Sequence, residues 1–367
     1  MNIFESMLKP KITPNQIQDF LGIQVYLVGG AVRDILLGKT PKDYDFGTSA
    51  SPEQIENAIT NAGRKTYCVG KKFGTIGFKY KLDDEVGSEY VEITTFRTEK
   101  YEPNNRRPTV EFTNDLKEDM SRRDFTINAM AMGNGGEIID YFNGQQDLQN
   151  GVIKCVDNPK QRFKEDPLRI LRAVRFATKY GFEIESETMR YCSKMNFRLL
   201  DISKERWVME LDKILSSDNV KVGLDLLMDL GSFKVMIPVL ELQKNYQQNS
   251  PWHDFTLWEH TKNVVANIPK ENLDLRWTAL LHDIAKPFTR TQNPKGHSNY
   301  INHDILGSEM ALGICQYLKF SKVRTNYITT QIKNHLSPDS DLKIYDDMGK
   351  KTSPSVENNN STLINPE

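Results

Sequence analysis

The chain has 367 residues, a length that accommodates two to three domains. Its 38% hydrophobic content, with 17 Phe and 14 Tyr, is enough for sizeable cores and excludes wholesale disorder. Charges nearly cancel, 48 Lys and Arg against 49 Asp and Glu, which excludes a uniformly basic nucleic-acid coat but leaves room for a local basic patch.

Residues 24–32 (QVYLVGGAV) are a short apolar run ending in two glycines, expected to be a buried strand that turns into the helix RDILLG. Two carboxylates one residue apart follow in the extended segment KDYDFGT. SPEQIENAITNAG is a well-signalled helix, with Ser51 as N-cap, Pro52 at the first position and Gly63 past the end. TIGFKYKL and SEYVEITTFR are strand-like and separated by the turn-prone DDEVG; TVEF and EIIDYF add strands around a helix expected over DFTINAMAM. A mixed α/β head over 20–152 results. From 153 to 242 the spacing is helical, in DPLRILRAVRFATKYG, SETMRYCSKM, KERWVMELDKILSS and VKVGLDLLMDLG. QKNYQQNSPW is expected to be a linker, 253–340 a second helical unit, and 341–367 a polar, disordered tail.

No apolar run approaches the roughly 18–20 residues that span a bilayer. The N-terminus lacks the apolar core of a secretory signal. Cys68, Cys155, Cys192 and Cys315 are widely spaced, which argues against a disulfide framework and for a reducing, cytoplasmic compartment. All six histidines, from His253 to His335, fall in the last third. Chemistry in the first two thirds must therefore proceed without histidine.

LVGGAVRD lacks the GxGxxG dinucleotide fingerprint, but glycines between a strand and a helix let backbone N–H groups approach a phosphate. Arg33 adds a cation there. Asp43 and Asp45 stand at i and i+2 of an extended segment, so both carboxylates face one way and could share a pair of Mg²⁺ ions. That is the requirement of an in-line nucleotidyl transfer.

At this point LVGGAVRDILLGKTPKDYDF resembles the opening motif of the class II tRNA nucleotidyltransferases and bacterial poly(A) polymerases, relatives of the DNA polymerase β-like superfamily. KFGTIGF, VEITTFRTEKYEPNNRRP, EDMSRRDFTINAMA and EDPLRILRAVRFA continue the resemblance in order, over most of residues 24–215. It implies an α+β head with helical neck and body, and an enzyme that builds the CCA end of tRNA from CTP and ATP. It implies Asp43 and Asp45 as Mg²⁺ ligands, Gly30 and Arg33 at the nucleotide, and Arg123 at the triphosphate, with Asp124 and Asn128 near the ribose.

In EDPLRILRAVRFA, Asp166, Arg169, Arg172 and Arg175 recur every third residue along one helix side, opposite a stripe of Leu168, Leu171 and Val174. A solvent-facing helix would look similar, yet three arginines with no acid at i+4 repel one another. Cytosine and adenine each present an amino donor beside a ring-nitrogen acceptor, which a carboxylate next to a guanidinium complements. Uracil and guanine present a carbonyl where the carboxylate needs a donor. Asp166 and Arg169 are thus expected to read the base, and the resemblance also places Arg172 and Arg175 at the nucleotide. Residues 160–206 carry twelve Lys and Arg against seven acids, locating a phosphate-facing surface.

HDFTLWEHTKNVV, RWTALLHDIAKPF and YINHDILGSEMA resemble an HD domain, a helical metal-binding fold. The resemblance implies His260, His282 and Asp283 as ligands of a transition metal, with His303, His335, Asp339 and Asp341 as candidates for a fourth. Such a metal could activate water against a phosphoester. The expected function is template-independent CCA addition to tRNA. The alternatives are an A-adding, CC-adding or poly(A)-synthesising relative, an HD phosphohydrolase whose head only binds nucleotide, and a non-catalytic RNA-binding module.

Overall fold

A computed structural model describes residues 8–82, 88–101, 109–249 and 255–348. The chain forms two compact units, Met1–Ile202 and Ser203–Glu367. The turn DDEVG, the loop residues 102–108, His253 and most of the expected tail lie outside the described residues.

In the first unit α1 (Pro14–Leu21) starts at a Thr13–Gln16 capping box and stops at Gly22. β1 (Tyr26–Val28), α2 (Gly30–Leu36), β2 (Tyr44–Thr48) and α3 (Pro52–Asn61) follow. α3 is capped by Ser51, which accepts from the Gln54 N–H, as its sequence requires. The strands β3 (Thr66–Tyr67), β4 (Thr75–Tyr80) and β5 (Glu89–Thr95) come next, then the ribbon β6 (Arg97–Lys100) and β7 (Thr109–Phe112). α4 (Leu116–Ser121), β8 (Met130–Met132), β9 (Ile138–Asp140), α5 (Gly144–Asn150) and β10 (Val152–Ile153) complete the head. Its sheet runs β3-β4-β5-β2-β1-β8-β9. β2 and β5 pair in parallel, while the other neighbours are antiparallel. Phe46, Phe78, Ile93, Ile55 and Ile59 are fully buried, each worth about 1.5–3 kcal/mol over exposure.

DFTINAMAM is not a helix. One 3₁₀ turn at Thr126–Asn128 gives way to β8, which pairs with β1 on one side and β9 on the other. Two ladders of backbone bonds and complete burial of Met130 and Ala131 override the helical preference of Ala and Met. Arg122 is the C-cap of α4, and Arg123 follows it.

The unit closes with α6 (Pro159–Glu165), α7 (Leu168–Tyr180), β11 (Glu183–Ile184) and α8 (Ser186–Met195). Leu168, Leu171 and Val174 are buried as their stripe requires, but so are Arg169, Ile170, Ala173 and Phe176, so α7 is enclosed on nearly every side.

The second unit comprises α9 (Lys204–Leu215), α10 (Val220–Asp229), α11 (Ser232–Met236), α12 (Leu257–Asn267), α13 (Leu273–Leu281) and α14 (Lys286–Thr289). A hairpin, β12 (Arg290–Gln292) with β13 (Ser298–Tyr300), leads to α15 (His303–Tyr317), α16 (Lys322–Asn334) and α17 (Lys343–Met348). Buried Arg276 on α13 donates to the carbonyls of Leu215, Ser217 and Ile268, satisfying the ends of α9 and α12. Trp277, fully buried, donates Nε1–H to Asp212 at 2.7 Å. The expected linker is largely exposed where it is described, but two of its glutamines anchor it to the helices. Gln243 accepts from Thr261 at 2.9 Å and Gln248 from Lys286 at 3.1 Å, both glutamines being buried. Among the described residues no helix is long and apolar enough to cross a membrane.

Candidate active site

β1 ends at Val28 and the chain turns through Gly29, whose φ of +71° and ψ of −127° lie where residues with a Cβ rarely go. A Cβ there would stand 2.5 Å from Arg123 Nη1, so the glycine also leaves room for a guanidinium against the backbone. Arg123 is held by Asp119, 3.3 Å from its Nη2, and Asp119 takes Arg122 at 2.8 Å. Burial works to raise the Asp119 carboxyl, but the two arginines outweigh it and hold it below the usual range.

Tyr44 and Phe46 of β2 are buried while Asp45 on the strand and Asp43, in the bend just before it, are exposed, so the alternation of burial brings both carboxylates to the exposed side. β2 pairs in parallel with β5 in a register that sets Asp45 beside Glu92. Asp45 is exposed by surface area, yet loss of hydration among its neighbours, then Glu92, pushes its carboxyl up to about 6; Arg123 pulls it down and Asp43 adds to the rise. Hard oxygen donors that repel one another fit a divalent cation such as Mg²⁺. Glu92 escaped the sequence reading. Its signal was a lone acid between the buried Val91 and Ile93 of VEIT, the mark of a strand with one polar face.

Arg33 is 5% exposed and turned into the protein. It binds Asp34 at 2.8 Å, donates to Asn128 Oδ1, and its guanidinium carbon lies 5.3 and 5.1 Å from the ring centroids of Phe176 and Tyr180. Asn128 in turn donates to Asp124 at 3.0 Å, and Arg172 donates Nε–H to Asp124 at 2.7 Å. Burial alone would raise the Asp124 carboxyl, but Arg172 and Asn128 hold it well below the usual range. This chain of side chains ties α2 to the 124–128 turn and to α7.

The structure corrects the placement of Asp166. It lies between α6 and α7 with an extended backbone, and its carboxylate accepts from the Leu168 N–H at 3.1 Å. The three arginines of α7 are not an unpaired row either. Arg169, 7% exposed, pairs with Glu165 at 3.0 Å and donates to the Arg122 carbonyl at 2.9 Å. Arg172 has Asp124, and Arg175 lies over the Phe176 ring at 4.2 Å. Glu165, which also takes Arg162 at 2.8 Å, is a second acid that helical spacing alone did not single out.

In the second unit His260 from α12, His282 and Asp283 after the end of α13, and Asp346 on α17 converge and are all buried. His282 and Asp283 lie beyond the α13 helix rather than on it, with His282 as its C-cap. His260 Nε2 lies 3.3 Å from His282 Nε2, 3.4 Å from Asp283 Oδ2 and 3.0 Å from Asp346 Oδ1. Asp346 belongs to the stretch that composition assigned to a tail, where α17 forms instead. Asp341 is exposed and bonded to Tyr327 and Gln331, and Asp339 is exposed. His303 Nε2 lies 3.4 Å and His335 Nε2 3.9 Å from Asp283 Oδ1. Burial opposes charge on His282, yet Asp283 and Asp346 push its imidazole up to about 9. Burial, then the charge of His282, pushes His335 down to about 4. In such a cluster protons occupy the place that a cation fits.

The family described as "Poly A polymerase head domain" matches residues 25–154, "Probable RNA and SrmB- binding site of polymerase A" matches 181–243, and "HD domain" matches 257–357. A CCA-adding enzyme of Staphylococcus epidermidis is 41% identical over 278 residues, 72% of this chain and 67% of the relative. The chain belongs to the family of CCA-adding enzymes. The Lactococcus lactis CCA-adding enzyme is 43% identical over 71% of this chain, and the Ligilactobacillus salivarius one 44% identical over 58%. These last two alignments span 61% and 50% of the relatives' own length. The crystal structure of Bacillus stearothermophilus CCA-adding enzyme in complex with CTP superimposes with a TM-score of 0.57, 26% identity and 93% and 82% of the two chains. A Thermotoga maritima CCA-adding enzyme complexed with tRNA shares the fold at 23% identity and a TM-score of 0.65, over 95% and 80% of the chains. The α+β head, helical body and HD domain expected of the sequence are those of the CCA-adding enzymes, and head and HD domain alike are folds that use divalent cations.

Proposed function

We propose that this chain adds C, C and A to the 3′ end of tRNA from CTP and ATP. One observation carries the reading: Asp45 and Glu92 paired across β2 and β5, with Asp43 just before β2 and Arg123, held over Gly29, both close enough to act on Asp45. Magnesium held by these carboxylates would lower the pKa of the RNA 3′-hydroxyl and offset charge on the leaving pyrophosphate. The 3′ oxygen attacks the α-phosphorus, the bond to pyrophosphate breaks, and the hydroxyl proton passes to solvent. Arg123 binds the triphosphate by charge-assisted hydrogen bonds, and Gly30 gives the phosphates close approach to the backbone. Arg33 acts through Asn128 and Asp124, holding the turn that bears Arg123.

Asp166 and Arg169 select the base. Arg169 spends N–H donors on Glu165 and on the Arg162 and Arg122 carbonyls, which fix its plane while others of its five donors address N3 of cytosine or N1 of adenine. Arg172 and Arg175 keep α7 in register with the nucleotide. The head extends over 20–152, the nucleotide-selecting neck and RNA-binding body over 153–242, and the HD domain from 253 through Asp346, binding a transition metal. Cys68, Cys155, Cys192 and Cys315 are all unpaired, in keeping with a cytoplasmic enzyme.

The test is Asp43→Asn and Asp45→Asn in single-turnover addition to a tRNA transcript lacking CCA. Loss of at least a thousandfold with tRNA affinity retained supports the reading. Transfer within tenfold of wild type refutes the metal assignment.

A further inference from the structure

We propose that the exposed face of the head sheet beyond the carboxylates is a track for the unpaired 3′ end of the RNA being extended. Tyr67 and Tyr90 stack its bases, and Arg64, Lys65 and Lys79 take its phosphates. The inference rests on the reading of this chain as an RNA nucleotidyltransferase and adds where the acceptor strand lies. It starts from register. Asp45 on β2 pairs with Glu92 on β5, Glu92 with Gly77 on β4, and Gly77 with Tyr67 on β3. Paired residues share a face, so one row leads from the carboxylates to the tyrosines. With strands about 4.8 Å apart, Asp45 and Tyr67 are separated by roughly 14 Å.

In-line transfer decides from which side the acceptor enters. The sheet order β3-β4-β5-β2-β1 puts Gly29 and Arg123, the triphosphate side, at the end of β1 on one flank of β2. An attacking oxygen must approach the α-phosphorus from the side opposite the leaving pyrophosphate. That side is the flank formed by β5, β4 and β3.

The side chains on that flank suit a nucleic-acid strand. Tyr67 is 37% and Tyr90 46% exposed, and their rings meet edge to face with centroids 5.9 Å apart. Tyr90 lies across β4 because Gly77 has no side chain, and a Cβ there would run into the tyrosine hydroxyl. Both rings are therefore fixed in advance, which lowers the ordering cost of stacking a base on them. Lys79 stands opposite Tyr90 in the ladder, and Lys65 Nζ lies 5.9 Å from the Tyr67 ring centroid.

A cavity of about 520 Å³ continues the row at the sheet edge, lined by Arg64, Lys65, Tyr67, Lys79 and Lys81, with no acid in its lining among the described residues. Lys81 leads into the acids of DDEVG, so the phosphate contacts are assigned to the other three cations. Edge lysines discourage strand pairing and tyrosine pairs stiffen a sheet, but both roles would be met anywhere along the edge. An anionic strand with planar bases is the ligand that uses rings and cations together, in one row with the metal-binding carboxylates.

The experiment uses the full chain and a CC-ended tRNA transcript with 5-iodouridine at the discriminator position. Irradiation should crosslink it to Tyr67 or Tyr90, identified by peptide mass spectrometry, a readout that needs no variant to fold. Tyr67→Leu/Tyr90→Leu should bind the transcript at least about tenfold more weakly, with KM for ATP within roughly threefold of wild type. Tyr67→Phe/Tyr90→Phe should retain binding, because the rings stack without their hydroxyls. Lys65→Gln/Lys79→Gln, which alters two exposed side chains outside the core, should lower the salt slope of binding by about two. The same RNA cut back to a blunt acceptor stem should bind wild type and the leucine variant equally. Crosslinks that map elsewhere overturn the track even if wild type extends RNA normally, and so does unchanged affinity of the leucine variant. Equal weakening on the blunt stem overturns stacking of the unpaired end. Failure of wild type to extend any RNA overturns the proposed function instead, since crosslinking and binding need no transfer and decide the track by themselves.

Discussion

Gly29→Ala separates the turn's two duties, because the structure gives each a magnitude. At φ +71° and ψ −127° a residue with a Cβ is strained by about 1–3 kcal/mol. About 2 kcal/mol corresponds to a fall in melting temperature of roughly 4–8 °C for a unit of this size. The added Cβ would also stand 2.5 Å from Arg123 Nη1 and force that guanidinium off the backbone. Charge-assisted hydrogen bonds of about 1.5–3 kcal/mol are then lost at the triphosphate. That is a drop of roughly 10–100-fold in kcat/KM for CTP and ATP. Gly22→Ala is the control. Gly22 also has a positive φ, +68°, but nothing lies within 4 Å of its Cβ position, so it should lose comparable stability and no transfer. Calorimetry measures the first effect; addition of labelled CTP to a transcript lacking CCA and of ATP to a CC-ended one measures the second. Equal transfer by the two variants would refute the placement of Arg123 at the triphosphate.

Asp45 carries a pH prediction. Its carboxyl is raised above the unfolded value, so metal-free folding stability is full below about pH 4 and declines as the pH rises through about 6. Asp45→Asn should therefore melt higher than wild type in EDTA at pH 7 and lose the stabilisation that Mg²⁺ gives wild type; an unchanged melting temperature would count against the crowding of the three acids. Asp124 has the opposite sign, its stability being present above the unfolded value near pH 4 and lost in acid. Asp124→Asn should cost about 2–3 kcal/mol, less than a fully buried pair because Arg172 is 33% exposed, and denaturant titration measures it. Glu165→Gln should loosen Arg169 and raise UTP incorporation relative to CTP by about tenfold or more in competition assays. An unchanged ratio would move base selection away from Arg169.

Short-range signals were the readable ones. Ser51, Pro52 and Gly63 bounded α3, and alternation in KDYDF put Asp43 and Asp45 on the exposed side, because capping and pleating act within a few residues. The pairing of Asp45 with Glu92 depends on a parallel register between strands 47 residues apart in sequence. DFTINAMAM misled because its conformation is set by β1 and β9 rather than by its own propensity. Helical spacing placed Leu168, Leu171 and Val174 correctly, but not Asp166, since Pro167 interrupts the helix behind it. Composition marked the chain after 341 as polar and so hid Asp346, whose two histidine neighbours are contributed by distant segments.

The most direct measurement offers single labelled triphosphates to tRNA transcripts ending at the discriminator base, at C and at CC. CTP should extend the first two and stop after the second C, ATP should extend only the third and by one residue, and UTP and GTP should be refused. Extension of the CC-ended transcript alone, or growth of a poly(A) tract on any RNA, would contradict the assignment of complete CCA addition to this chain.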